Sequence, residues 1–424
     1  MSFPRKREST VDARLPRPVL QTVQDGRGHD KDKPLSEFQL HLRDFNKNRP
    51  AVACVWVLGV LYAGALFADF IAPYSFKDED RSYSYCPPSR IQLWHDGKIS
   101  RPFIYGTKLT YNDLHARVYV TDQTQSYPIR FFYRAESYRW LGLIPFSRHL
   151  FGVDAPSRIY LFGADARGRD VFSRILYGAQ VSLSIGLIGV AISFSLGLLI
   201  GGIAGYYGGW LDNILMRLCE MLMMVPGFYL LLALRAAVPD NFSSLQVYCA
   251  IVVILSFIAW ASWARIIRGM CLSLREREYV LAAKTMGVSD FKIILVHLLP
   301  HTFSYTIFAV MLSIPGYILG ESGLSLIGLG IQDPYASWGN MLTDAMSIVR
   351  IQFAPWILVP AFFIFITVLC FNIIGDTLRD CLDPMLIGLL PTKQNVKSSI
   401  VGKSAGDLTL DQKRSIKSTE NPKS

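Results

Sequence analysis

Residues 274–300 read LREREYVLAAKTMGVSDFKIILVHLLP, a charged segment between two long apolar stretches. The run from Arg275 to Met286 favours a short helix, and Gly287 can adopt the left-handed backbone conformation that ends it. Ser289 can then cap a second helix from Asp290 to Leu299. The sequence therefore predicts a helical hairpin that connects two membrane spans.

Small residues give this hairpin a second property. Ala282 and Ala283 lie close to Gly287, so one face of the hairpin carries little side-chain bulk. The backbone of another protein could approach such a face closely. An ordinary connecting loop is the alternative interpretation of the same residues.

The composition indicates a membrane protein, because 51% of the residues are hydrophobic and only 18% are charged. The formal net charge of +10 would suggest a nucleic-acid partner only if the basic residues clustered on a folded domain. They lie instead in the terminal segments, at the ends of apolar stretches and in one long loop. We therefore expect contact with membrane lipid and no nucleic-acid partner.

Apolar stretches predict an all-α membrane fold with six transmembrane helices. They cover residues 51–70, 182–205, 213–238, 247–269, 301–326 and 356–375. Lys47 and Arg49 stand directly before the first stretch, which places the N-terminus in the cytoplasm by the positive-inside rule. Six spans then place the C-terminus on the same side.

This topology divides the chain into five parts. They are a cytoplasmic segment at 1–50 without a signal peptide, a first transmembrane helix at 51–73, an extracytoplasmic insertion at 74–175, a membrane core at 176–384 that contains the loop 275–300, and a disordered cytoplasmic tail at 385–424. Within the insertion, residues 116–135 alternate well enough to predict a two-stranded hairpin that turns near residues 123–126.

The hairpin at 275–300 resembles the "EAA" loop in the membrane subunits of bacterial ABC importers. Leu281 occupies the place of the motif's Glu, and His297 matches the peptide-permease version of the motif. In that family the loop forms a coupling helix that docks on a cytoplasmic ATPase subunit. The resemblance implies that coupling is carried by Glu278, Tyr279, Ala282, Ala283, Gly287, His297, Leu299 and Pro300.

Two further stretches resemble signatures of the C-type membrane subunit in oligopeptide, dipeptide and nickel importers. The first comprises Asp165, Gly168, Arg169, Asp170, Ser173, Arg174 and Gly178. The second comprises Asn372, Gly375, Asp376, Arg379, Asp380, Asp383 and Pro384. From the residues alone, Asp170 can cap a helix and Asp376 can pair with Arg379 across one helical turn.

The stretch at 319–342 is unusually rich in Gly and Pro for membrane sequence. Irregular backbone at that depth is tolerated only where protein or a water-filled cavity satisfies its polar groups. We therefore expect this stretch to line the outer mouth of a transport pathway. The candidate lining residues are Glu321, Ser325, Gly328, Gly330 and Trp338.

No residue pattern indicates catalysis or a metal site. The sequence Gly402-Lys403-Ser404 imitates the end of a phosphate-binding loop, but Lys397 stands where that motif needs its first Gly. The seven cysteines lack metal-ligand spacing and are expected to be core thiols. We therefore expect no enzyme activity and no directly bound cofactor. The resemblance implies that ATP and Mg are bound on partner subunits.

The family resemblance implies a permease subunit of an ATP-driven importer in the bacterial inner membrane, crossing it several times. Its implied partners are a second homologous permease subunit, two ATPase subunits and an extracytoplasmic substrate-binding protein. Oligopeptides or dipeptides are the implied cargo, with nickel complexes or another small solute as the alternative. Two different classes remain open, a secondary transporter driven by an ion gradient and a membrane anchor that presents the insertion as a binding module.

Overall fold

The computed structural model describes residues 37–95, 98–111, 117–140, 144–239 and 241–382. The chain divides into two units, residues 1–43 and 44–424. Of the first unit, only the beginning of the first helix is described. Most of the predicted segment 1–50 and all of the predicted tail 385–424 therefore lie outside the described residues.

Helices form most of the described chain. In chain order they are α1 (Glu37–Lys47), α2 (Arg49–Leu66), α3 (Ala68–Ile71), α4 (Val171–Tyr207), α5 (Gly209–Met224), α6 (Gly227–Ala236), α7 (Ser244–Leu274), α8 (Glu278–Thr285), α9 (Asp290–Lys292), α10 (Leu299–Leu326), α11 (Trp338–Met341), α12 (Ile348–Phe353) and α13 (Val359–Leu382). Within the described residues, five are long and apolar enough to cross a membrane: α2, α4, α7, α10 and α13.

The predicted span at 213–238 is broken into two separate helices. Helices α5 and α6 meet at a bend of 87°. Neither is a candidate span by itself, but the two joined end to end are long and apolar enough to be one. Pro226 lacks a backbone N–H and disfavours helical geometry at the residue before it. Val225 accordingly has an extended conformation, with ψ of 126°. The described helices therefore provide five candidate spans, or six if the bent pair counts as one.

Glycines on α4 allow it to pack tightly against α7. A Cβ atom on Gly201 would lie 2.5 Å from the carbonyl oxygen of Ala264, and one on Gly205 would lie 2.5 Å from the Cβ of Cys271. Only residues without a side chain fit at such distances. Gly197, Gly201 and Gly205 recur at four-residue spacing, and this stripe of small residues lets α4 and α7 pack closely.

The insertion between α3 and α4 is built from strands. They are β1 (Gln92–His95), β2 (Lys98–Tyr111), β3 (Arg117–Pro128), β4 (Arg130–Trp140) and β5 (Ile144–Gly152). Strands β1, β2 and β3 form one antiparallel sheet, and β4 pairs with β5 in a separate antiparallel ribbon. The all-α class therefore holds for the candidate spans and not for the insertion.

The predicted hairpin at 116–135 is wrong, because its expected turn lies inside the continuous strand β3. Tyr105 pairs with Ser126 whereas Gly106 pairs with Asp122, so residues 123–125 bulge out of the ladder. The Asp122 carboxylate accepts a hydrogen bond from the Thr124 backbone N–H at 3.0 Å. The turn tendency of these residues thus produces a bulge in a strand that pairs with the preceding one.

Candidate functional site

The segment after α7 forms the predicted hairpin, with one change in its second arm. Helix α8 ends at Thr285, and Gly287 has a φ of +77°, as predicted. The Val288 N–H donates to the Ala283 carbonyl at 3.2 Å and closes the helix end. The second arm begins as the short helix α9, passes through a π-helical turn at Ile293–Leu298 and continues into α10.

The predicted coupling residues lie on two opposite faces of the hairpin. The exposed ones are Glu278, Tyr279, Ala282, Gly287 and Pro300. Ala283 and Leu299 are buried in a cluster with Val280, Ile293 and Leu298, and His297 is half-buried. The expectation that Ala283 belongs to an accessible face is therefore wrong. Its small size fits it against the second arm of the hairpin.

Three apolar side chains on the exposed face were not among the predicted coupling residues. Leu281, Met286 and Phe291 are each more than half exposed. Leu281 occupies the position of the motif's Glu, so an apolar group replaces a charge on this surface. The signal available in the sequence was the presence of large apolar residues in an otherwise charged loop.

Two hydrogen bonds join the hairpin to α4 within the described residues, and one of them runs from Arg275 Nη1 to the Gly205 carbonyl oxygen at 3.5 Å. The Tyr206 hydroxyl donates to the Asp290 carboxylate at 2.6 Å. Lys284 on α8 lies over the same tyrosine, with its Nζ 5.9 Å from the ring centre. The C-terminal end of α4 therefore contacts both arms of the hairpin.

The opposite end of α4 begins in a buried ionic cluster formed by the first signature. The Asp165 carboxylate accepts from Arg169 Nε at 2.7 Å and from the Arg167 backbone N–H at 2.8 Å. Asp333, from the loop after α10, accepts from Arg169 Nη1 at 2.8 Å and from Arg174 Nη2 at 3.3 Å. The first signature thus ties the start of α4 to the end of α10.

Burial acts to raise the pKa of the Asp170 and Asp333 carboxyl groups in this region, whereas nearby arginines lower that of Asp333. Burial raises the pKa of Asp170 to about 7, although its carboxylate accepts hydrogen bonds from the Ser173 N–H and hydroxyl. For Asp333, burial also favours the neutral form, but the hydrogen bond and charge of Arg169 outweigh burial and lower the pKa. Asp170 caps α4, as the sequence predicts.

Two glycines of the first signature lie where other segments approach α4 or the turn before it closely. Gly168 has a φ of +74°, and a Cβ atom there would lie 1.8 Å from the carbonyl oxygen of Asp80. A Cβ atom on Gly178 would lie 3.2 Å from the ring of Trp338. Gly178 therefore allows α11 to pack directly on α4.

The predicted pathway residues separate into a lining pair and a supporting group. Ser325 and Gly328 line a cavity of about 250 Å³ beside the ionic cluster. Glu321 is buried behind it and accepts from the hydroxyls of Ser325 at 2.6 Å and Ser182 at 3.3 Å. Trp338 and Gly330 are also buried and do not line this cavity. A pathway role for the five residues stays a prediction.

The second signature lies at the end of α13. Gly375 packs against α10, where an added Cβ atom would lie 2.6 Å from Cδ2 of Leu312. Asn372 is half-buried, and Asp376, Arg379 and Asp380 are exposed. Among the described side chains, Asp376 and Arg379 form no ion pair, contrary to the pairing proposed across the helical turn. Asp383 and Pro384 lie outside the described residues.

Within the described residues, no group of three or more His, Cys, Asp or Glu side chains could hold a metal ion. Cysteines are mostly buried there, with Cys249 exposed and Cys381 half-buried. The core-thiol prediction is therefore confirmed for Cys54, Cys86, Cys219, Cys271 and Cys370.

Two family models match the chain. One is described as the inner membrane component of binding-protein-dependent transport systems, and it matches residues 197–388. The other is described as the N-terminal TM domain of oligopeptide transport permease C, and it matches residues 36–88. The first match contains the hairpin, and the second contains α2.

Curated relatives agree with these matches. The chain is 42% identical to the dipeptide transport system permease protein of Bacillus subtilis, over 54% of this chain and 70% of the relative. It is 41% identical to the oligopeptide transport system permease protein of Haemophilus influenzae, over 53% and 70%. It is 39% identical to a glutathione transport system permease protein of Pectobacterium atrosepticum, over 55% and 75%. The chain therefore belongs to the inner-membrane permease subunits of binding-protein-dependent transport systems, in the permease C branch of the oligopeptide and dipeptide family.

Proposed function

We propose that this chain forms half of the translocation pathway of an ATP-driven importer and receives force from cytoplasmic ATPase subunits through the hairpin. The observation that carries this proposal is the two-faced geometry of the hairpin. One face is buried against the chain's own helices, and the other presents Leu281, Met286 and Phe291 to the outside. The buried face fixes the hairpin to the chain's own helices, and the exposed apolar face can pack against a partner protein. Motion of the partner would then be transmitted to this chain.

Helix α4 offers a direct mechanical connection through the molecule. Its 37 residues are continuous, which corresponds to roughly 55 Å at a rise of ~1.5 Å per residue. Tyr206 binds the hairpin at one end, and Arg174 binds Asp333 near the other. Displacement of the hairpin would therefore move the ionic cluster and the cavity beside it.

The proposed membrane arrangement has six spans, with α5 and α6 together as the third, and both termini in the cytoplasm. Lys47 and Arg49 before α2 support this orientation, as do the basic residues of the hairpin. The β-rich insertion then lies outside, where a substrate-binding protein would deliver cargo. A second homologous permease subunit would complete the pathway in the bacterial inner membrane. ATP and Mg would be bound by two ATPase subunits.

Peptides are the cargo we propose. The relatives include permeases named for dipeptide, oligopeptide and glutathione transport, which share peptide bonds and a terminal carboxylate. Nickel complexes or another small solute are the alternative cargo.

The test is to purify the assembly through a tag on this chain and reconstitute it in proteoliposomes with its binding protein. We expect co-purification of a second permease and two ATPase subunits, together with ATP-dependent peptide uptake. Glutathione and a nickel complex, tested in parallel, distinguish the alternative cargoes. Uptake driven by an ion gradient without ATP would contradict the proposal.

A further inference from the structure

The ribbon of β4 and β5 is fixed to the ends of two candidate spans. His149 Nδ1 donates to the carbonyl oxygen of Ala72, just after α3, at 2.6 Å. The rings of Phe70 and Phe132 lie 6.2 Å apart, and those of Phe151 and Phe172 lie 6.0 Å apart. Because α3 follows the first candidate span and Phe172 lies in the first turn of α4, the ribbon packs against the ends of two candidate spans, which the proposed topology places at the outer membrane surface.

Exposed aromatic side chains lie on this ribbon. Phe131 is 63% exposed, Phe132 is 62% exposed and Phe146 is 46% exposed. Large aromatic groups are unfavourable in water but are enriched at the boundary between lipid tails and headgroups. In the proposed topology, their location beside the span ends would bring these residues into contact with lipid without any rearrangement of the fold.

Two arginines lie directly opposite each other on the same ribbon. Arg134 pairs in register with Arg148, and both side chains are exposed. Among the described side chains, neither forms an ion pair, whereas Arg130 at the ribbon's end pairs with Asp154 at 2.7 Å. Like charges directly opposite on neighbouring strands destabilise a sheet. An anion bound between Arg134 and Arg148 would relieve this repulsion.

We propose that the β4–β5 ribbon binds anionic phospholipid, with the lipid phosphate between Arg134 and Arg148 and the acyl chains beside Phe132, which the strand alternation places on the same face. The attachment of the ribbon to the span ends favours lipid over an acidic protein surface, because a soluble partner would approach from farther out. The proposal depends on the membrane placement of the spans and is independent of the cargo.

Photo-crosslinking in native membranes tests the occupant. A benzophenone amino acid replaces Phe132, which is 62% exposed, and the same group replaces Val120 on β3 as a control, since Val120 is about half exposed. We expect adducts of phospholipid mass at position 132 and not at position 120. Adducts of position 132 with a protein subunit, or no lipid adduct there, would overturn the proposal.

Lipid retention tests the arginine pair. The assembly is purified in mild detergent, and its affinity for added phosphatidylglycerol is measured for Arg134→Gln/Arg148→Gln and for the control Arg101→Gln on β2. We expect the double variant to bind roughly thirtyfold more weakly, since each basic residue near a lipid surface contributes a factor of about five. Equal affinity in all variants would refute the headgroup site. If the double variant fails to assemble, Arg148→Gln alone is measured with an expected loss of about fivefold.

Discussion

The two ends of α4 are built in opposite ways. At its N-terminal end, Asp165, Arg169 and Arg174 are buried and joined by charged hydrogen bonds and ion pairs. At its C-terminal end, the hairpin has a buried apolar base and an exposed apolar surface, with hydrogen bonds to α4 at Tyr206 and Gly205. The same helix therefore connects a region whose buried charges pair within the chain to a region whose apolar surface is exposed.

This difference indicates how each end should respond to substitution. Removing one partner of a buried ion pair leaves the other charge buried and unpaired. Substitutions in the ionic cluster should therefore lower the stability of the fold. Exposed apolar groups contribute little to the stability of the chain alone. Substitutions on the outer face of the hairpin should therefore weaken assembly and transport while the fold stays stable.

The largest effect is expected at the ionic cluster. Asp165→Ala removes one of the two carboxylates that pair with Arg169 and Arg174, which leaves only Asp333 to compensate two buried positive charges and should destabilise the chain by about 3 kcal/mol. Asp344→Ala is the matched control, because its ion pair with the exposed Arg350 should contribute only about 0–1 kcal/mol. Thermal denaturation of the purified assembly measures both. Equal losses in the two variants would contradict a special role for burial.

The next effect concerns neighbouring alanines on α8. Ala283→Leu inserts a bulky side chain into the buried base and should cost about 1–3 kcal/mol of stability. Ala282→Leu changes an exposed position, so we expect unchanged thermal stability but reduced uptake. Fluorescence-detected melting and a transport assay on the same preparations compare them. The two-faced description fails if Ala282→Leu melts early or if Ala283→Leu is as stable as the parent.

A smaller effect is expected from the ionisation of Asp170, which makes the stability of the protein depend on pH. Its pKa is raised from 3.8 to about 7 by burial, so the folded protein favours the protonated form. This contribution to stability is complete below the unfolded pKa of 3.8 and is lost as the pH rises through about 7. Asp170→Asn cannot ionise, so its melting temperature should fall less between pH 5 and pH 8 than that of the parent. Parallel curves for the two proteins would contradict the assignment.

Much of the membrane architecture could be predicted from the sequence, because long apolar stretches have few alternatives to a transmembrane helix. The hairpin and the left-handed Gly287 followed from turn chemistry alone. The insertion could not be predicted in the same way. Residues 123–126 have a turn composition, but whether they make a hairpin or a bulge depends on which distant strand pairs with them.

The candidate site shows the same limit. Motif positions identified the two signatures, but Asp333, which shares Arg169 and Arg174 with Asp165, lies about 160 residues away in sequence and is absent from the predicted residues. Likewise, the sequence pattern places both Ala282 and Ala283 on an accessible face, but the second arm of the hairpin buries Ala283 and leaves Ala282 exposed. Tertiary contacts therefore decide which motif residues are available to a partner.

The central claim is that the exposed face of the hairpin transmits ATP-driven motion. It is tested most directly by substrate-stimulated ATP hydrolysis in proteoliposomes that carry Met286→Asp. Met286 is 75% exposed on the hairpin, and Met346, which is 64% exposed in the loop after α11, supplies the control Met346→Asp. We predict that Met286→Asp lowers stimulation roughly tenfold, as loss of an apolar anchor at an interface does, while Met346→Asp retains it. Full stimulation with Met286→Asp in a correctly folded assembly would contradict the account.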